Sequence, residues 1–192
     1  CILPHPMRYR VSHQVEQLLM ANVTSSTVYY ENLSLEMVNL ARVFVFFRCP
    51  YTETVGQFIS QAKKYNKTVI FDIDDLVFDP DIVEQVPMYH SMTDAQKADY
   101  QNGLVMVNRV LQMCDYVTAS TNFLCNYISK KYKKPSFLIP NGVNREQIAI
   151  AEKLPAYHGR IQYIGYLSGT QTHQKDFSAM AGALRAILDD FP

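Results

Sequence analysis

The sequence predicts an α/β fold: a Rossmann-like parallel sheet with helices on both faces. Three observations carry this. Continuous apolar runs such as VFVFF (Val43–Phe47) and TVIFDI (Thr68–Ile73) read as strands of a buried parallel sheet. Stretches with apolar residues at helical spacing alternate with them, the pattern of βαβ units. Asp72, Asp74 and Asp75 crowd the end of one such run, where open α/β sheets bind ligands.

In chain order, Val11, Val15, Leu18 and Leu19 fall at helical spacing and predict a helix over about 9–21. A short strand is expected near 27–30, and VFVFF forms the next, ending at Arg48. Pro50 suits the first turn of a helix whose stripe is Val55, Phe58, Ile59 and Ala62. TVIFDID follows, then an irregular segment over 81–90 that contains Pro87. Ser91 or Thr93 can cap a long helix over 94–114 with Leu104, Val107, Leu111 and Cys114 on one face. Strands at 116–119 and 136–139 bracket a helix over 122–131. A helix over about 145–154 leads to a polar break at 155–159. Beyond it come a strand over 161–166 and a helix over 177–188.

That break divides the chain into a first domain, 1–154, and the opening strand, loop and helix of a second, 155–192, too short to bury its own core. The first residue is Cys1, so the natural N-terminus is read as missing. The 48% apolar and 19% charged content is that of a globular chain. A formal net charge of zero argues against nucleic acid held by phosphate neutralisation. No stretch reads as a membrane span or a secretory signal. The four cysteines form no CxxC pair and no metal-ligand spacing, which indicates a reducing, cytoplasmic compartment. The sequons at Asn22, Asn32 and Asn66 are then chance matches.

Polar groups gather where this layout puts strand C-termini. They are Arg48; Asp72, Asp74 and Asp75; Ser120 and Thr121; Asn141 and Gly142. Arg8 and Arg10 open the first helix. Guanidinium forks match phosphate geometry, so the set predicts a cleft for a phosphorylated or polyhydroxylated ligand. His90 and Asp72 are the candidates for catalysis, and Tyr9, Tyr51 and Tyr89 flank the cleft. FDIDD itself admits Mg²⁺ chelation or phosphoryl transfer on the haloacid-dehalogenase pattern, with Asp72 as nucleophile and Asp74 as acid/base. Leu76 stands where that family places Thr or Val, and Asp189-Asp190 follows a helix rather than a strand. A basic cluster, Lys130, Lys131, Lys133 and Lys134, reads as a solvated helix end, with anionic lipid as the alternative contact.

Further stretches carry a family resemblance. LIPNGVN (Leu138–Asn144) resembles the strand and PNGV element that closes the N-terminal domain of GT-B glycosyltransferases, particularly the family 4-like group. IQYIGYLSGTQTHQKDF (Ile161–Phe177) resembles the first strand, loop and helix start of that fold's nucleotide-sugar domain. RYRV at Arg8–Val11, QVEQL at Gln14–Leu18, CPYTETVGQFI at Cys49–Ile59 and FDIDDLVFD at Phe71–Asp79 are similar to a bacterial polysaccharide-forming subgroup.

The resemblance implies sugar transfer from a nucleotide-sugar donor to a glycan or lipid-linked acceptor in cell-surface polysaccharide synthesis. The cysteine usage places the enzyme in the cytoplasm, and a peripheral contact at the inner face of the plasma membrane stays open as the alternative for the basic cluster. The resemblance implies no cofactor and no obligatory metal. Arg8, Arg10, Arg48, Asp72, Asp74, Asp75, Thr121 and Asn141 would line the acceptor side. Gly165, Ser168, Gly169, Thr170 and Lys175 would form the donor-diphosphate loop, which suits a loop feeding a helix N-terminus. The second domain ends after one βα unit, without the family's donor-binding glutamate, so this chain alone is expected to be inactive. A non-catalytic glycan- or partner-binding module is the remaining alternative.

Overall fold

The structure, a computed structural model, describes residues 4–155, 164–166 and 174–191. It is an α/β fold around a four-stranded, all-parallel sheet in the order β1 (Val43–Phe47), β2 (Thr68–Ile73), β3 (Tyr116–Ala119) and β4 (Ser136–Leu138). Helix α3 (Glu53–Lys64) connects β1 to β2, α5 (Asp94–Met113) connects β2 to β3, and α6 (Asn122–Tyr132) connects β3 to β4. These are the expected βαβ units.

Local chemistry explains where each helix begins. Thr52 caps α3 by accepting from the Val55 N–H at 3.2 Å, so Pro50 lies ahead of the helix rather than in its first turn. Thr93, not Ser91, caps α5, and Gln96 reaches back to the Thr93 N–H to complete a capping box. Thr121 caps α6. Asn144 and Gln147 make a second capping box at the start of α7 (Arg145–Lys153). Lys133, at φ 55°, ends α6 in the left-handed region.

Strand alternation sorts the sheet into two unlike faces. Phe44, Phe46, Val69, Phe71, Ile73, Val117 and Ala119 share one face and form a single core with the stripes of α3, α5 and α6. Phe58 of α3 meets Phe44 and Phe46 edge-on at 4.9 and 6.1 Å between ring centres. The opposite face carries Val45, Asp72, Tyr116, Thr118 and Phe137. It is covered where Arg10, from the N-terminal helical run, meets Asp72. On this face Val45 and Phe137 remain more than half exposed.

That N-terminal run comprises α1 (Pro4–Met7), a π-helical stretch Arg8–Ser12, and α2 (His13–Met20). It starts earlier than the apolar spacing predicts. The strand expected near 27–30 is absent; Tyr30–Asn32 is a 3₁₀ turn. The irregular segment resolves into a 3₁₀ turn, Pro80–Gln85, and α4 (Pro87–His90). The last helix is α8 (Gln174–Asp190). The strand expected over 161–166 lies partly outside the described residues, and the described part, 164–166, is not in a strand. Among the described residues no helix is long and apolar enough to cross a membrane.

Candidate functional site

The site is the C-terminal edge of the sheet, where Asp72 is the junction. Asp72 stands opposite Thr118 in the β2–β3 register, so both side chains leave the sheet on the same face. Thr118 Oγ1 donates to Asp72 Oδ1 at 2.6 Å. Arg10 Nε donates to Asp72 Oδ2 at 3.0 Å, and its Nη2 donates to Oδ1. The fork's remaining nitrogen, Nη1, donates to the Ile139 carbonyl and, at 3.2 Å, to Asn141 Oδ1. Arg10 and Asp72 are each only 4% exposed. A buried charge pair persists when its geometry is good and its other polar atoms are satisfied, as here.

One helical turn further on, His13 Nδ1 lies 3.0 Å from the Gly142 carbonyl. A carbonyl can only accept, so Nδ1 carries a proton. The other ring nitrogen, Nε2, is buried and has no hydrogen-bond partner among the described residues. A buried polar atom without a partner costs stability, so it marks this spot for something other than packing. Tyr9 packs edge-on against the same ring at 5.1 Å. The helical run thus grips the loop after β4 by two side chains. A third tie is the Arg145 N–H, which donates to Glu16 Oε1 at 3.0 Å. Arg8 adds an exposed ion pair with Glu146 at 3.3 Å, worth little in water.

A second group stands at the ends of β1 and β2. Arg48 has φ 44°, a left-handed conformation uncommon for a residue with a side chain. Its N–H donates to the Asp72 carbonyl at 3.1 Å. Its Nε donates to Asp74 Oδ1 at 2.6 Å, and Nη2 lies 3.9 Å from Asp75 Oδ2. Ser120 Oγ donates to the Asp74 carbonyl at 3.3 Å. The Asp75 side chain is 65% exposed, the most open carboxylate of the three. The structure therefore splits FDIDD: Asp72 is buried and neutralised, Asp74 is largely covered with its side chain 11% exposed, and Asp75 faces solvent.

The remaining expected residues fall into place as follows. Thr121 spends its hydroxyl on the α6 cap. Asn141 is exposed apart from its bond to Arg10. His90 is exposed, with Nε2 2.8 Å from the Glu84 carbonyl. Its neighbour Tyr89 belongs to a satellite cluster with Val83 and Leu104, separate from the main core. Tyr51 lies flat beneath Arg109, whose guanidinium is 3.4 Å from the ring centre. Gly165 sits in the described segment 164–166, and Lys175 lies in the first turn of α8. Ser168, Gly169 and Thr170 lie outside the described residues. Among the described residues no group of three or more His, Cys, Asp or Glu side chains is placed to hold a metal ion.

Asp79, itself fully buried, makes a separate network. Lys131 Nζ donates to both of its oxygens at 2.7–2.8 Å, Tyr127 Oη donates as well, and the Asp81 N–H adds 3.0 Å. Burial opposes ionisation of Asp79, yet these donors together hold its pKa below the ordinary value. The network joins the segment after β2 to α6 and frames the site from outside.

Sequence reasoning missed His13, Thr118 and Arg109 as members of these groups. His13 follows Arg10 by three positions, so both lie on one helix face, and that spacing was the available signal. Comparison with protein-family models, with curated proteins and with solved structures gave no match to this chain.

Proposed function

We propose that the chain is the acceptor-side domain of a GT-B glycosyltransferase, with residues 155–192 opening the nucleotide-sugar domain. The parent enzyme would move a sugar from a nucleotide donor to a glycan or lipid-linked acceptor in the cytoplasm. One observation carries the reading. The stretches that resemble this family, RYRV, FDIDD and LIPNGVN, are far apart in sequence but meet through Arg10, Asp72, Ile139 and Asn141. Three separate likenesses converging on one sheet edge are what a shared cleft requires.

In this reading Arg10 and Asp72 are positioning residues. They fix the loop that closes the first domain. Arg48, Asp75, Arg8 and Asn141 keep solvent-facing polar atoms and are the groups left to contact an acceptor. The phosphatase alternative needs a free Asp72 oxygen as nucleophile. Both oxygens are engaged by Arg10 and Thr118, which weakens it.

The test is calorimetric titration of this chain, and of a form extended at its C-terminus, with UDP, GDP and dTDP, each with and without Mg²⁺. Metal-independent binding by the extended form alone is the expected result and identifies the nucleotide. Mg²⁺-dependent turnover of a small phosphate ester by this chain, lost in Asp72→Asn, would overturn the reading. Glycan binding with no nucleotide affinity in the extended form would move it to the binding module.

A further inference from the structure

The sequence contains two Asn-Gly steps, Asn102-Gly103 and Asn141-Gly142, and the fold treats them oppositely. An asparagine followed by glycine is open to attack by the backbone on its own side chain, because glycine brings no Cβ to obstruct the approach of its nitrogen. Both asparagines are exposed, so access does not distinguish them. Asn102 lies inside α5, where the helical ladder ties the following N–H to a carbonyl one turn back. The helical ψ also holds the Asn102 side chain away from that nitrogen. Asn141 lies in the irregular loop between β4 and α7. Among the described residues the Gly142 N–H has no hydrogen-bond partner, so its nitrogen is uncommitted.

The Asn141 side chain is prepared for that attack. Arg10 can only donate, so the atom 3.2 Å from its Nη1 is the amide oxygen, Oδ1. A guanidinium on Oδ1 draws electron density from Cγ and stabilises the negative charge that an attack would place on the oxygen. The donor is itself fixed, because Arg10 is buried and held by Asp72 and the Ile139 carbonyl. The amide nitrogen, Nδ2, makes no hydrogen bond among the described residues, so its departure breaks no contact.

We propose that Asn141-Gly142 is a self-modifying step at the candidate site, converting without an enzyme to aspartate and isoaspartate. Solvent base removes the Gly142 N–H proton and the nitrogen attacks Cγ. The N–Cγ bond forms, the Cγ–Nδ2 bond breaks, and Nδ2 leaves as ammonia with a proton from water. Water then opens the cyclic imide. Opening at the side-chain carbonyl gives aspartate, and opening at the main-chain carbonyl gives isoaspartate. Aspartate sets a second carboxylate beside Arg10, in competition with Asp72. Isoaspartate also adds a methylene to the backbone, just ahead of the Gly142 carbonyl that His13 holds at 3.0 Å. Either product alters the loop that Arg10 and His13 grip. The proposal stands independently of the glycosyl-transfer reading.

The experiment is incubation of the folded chain at mildly alkaline pH, then peptide mapping by mass spectrometry, with an isoaspartate-specific methyltransferase to identify the isomer. The Asn141 peptide is expected to accumulate acid forms, faster as pH rises, while Asn102 stays an amide. In denaturant the two should convert at similar rates. Gly142→Ala should lose most of the conversion; its added Cβ meets only the end of the Gln17 side chain, at 3.4 Å, and circular dichroism confirms folding. The isoaspartate form, separated by ion exchange, should melt below the untreated protein. An Asn141 amide that persists as long as Asn102 in the folded chain would overturn the proposal, as would undiminished conversion in Gly142→Ala. A difference that persisted in denaturant would place its cause in the flanking sequence and overturn the role of the fold. An isoaspartate form that melts like the untreated protein would overturn the effect on the loop.

Discussion

Arg10 and Asp72 form a buried, two-pronged ion pair across 62 residues of sequence, and the same guanidinium holds the loop after β4. Removing one member leaves the other charged and dry. Asp72→Asn is therefore expected to cost about 3–5 kcal/mol of stability. Arg10→Met combined with Asp72→Leu should cost much less than the two single changes summed, because no orphan charge remains. Urea unfolding of the four proteins in that cycle decides it. A stable Asp72→Asn variant that has lost ligand binding would make Asp72 a ligand group instead of a stitch.

Asp79 gives the pH dependence a sign. Its carboxyl is held below the ordinary value despite burial, by Lys131, Tyr127 and the Asp81 N–H. A depressed folded pKa contributes stability that is present above the unfolded value, about 3.9, and is lost as pH falls through the folded one. Acid unfolding should therefore steepen below about pH 4, and Asp79→Asn should flatten that limb while lowering stability at neutral pH. Asp115, held down by Lys63 and the Val69 N–H against its own desolvation, adds a contribution of the same sign. Thermal melts across the acid range compare the two proteins.

The fold was legible because its elements obey short-range rules. VFVFF and TVIFDI are apolar runs too short for helices, and the stripe Val55, Phe58, Ile59 and Ala62 admits one period only. The order of polar groups at the sheet edge followed from topology. Which of them are free did not. Asp72 and Asp75 are three residues apart and look alike in sequence, yet one is buried under Arg10 and the other is open. That difference depends on contacts 62 residues away, which no local pattern encodes. The strand expected near 27–30 fails for a related reason. β-branched residues there raise strand propensity, but strand formation needs a neighbour to pair with, and among the described residues β1 pairs only with β2.

Burial pushes the thiols of Cys49 and Cys114 up to about 12, with Glu31 adding to the effect at Cys49. The thiolate is the reactive form, so both should resist alkylation at neutral pH while the protein is folded. Labelling with iodoacetamide, located by mass spectrometry, should find these two sites unmodified until denaturant is added. Rapid native-state labelling of Cys49 would show that the β1 end opens locally.

Arg48 combines backbone strain with an ion pair, and the two can be separated. At φ 44° its Cβ crowds the following carbonyl, a cost of about 1–2 kcal/mol for a residue with a side chain. Its N–H is fixed by the Asp72 carbonyl and its side chain by Asp74, so the surrounding contacts impose the conformation. Arg48→Ala and Arg48→Gly both lose the ion pair, but only alanine keeps the strain. Glycine regains part of it, less the extra chain entropy of its unfolded state, so the Gly variant should be more stable than the Ala variant by about 1 kcal/mol. Both should lose acceptor affinity equally if the guanidinium contacts ligand in an extended form of the chain. Equal stability of the two variants would show that the backbone at the end of β1 relaxes, and that Arg48 is held there by its side chain alone.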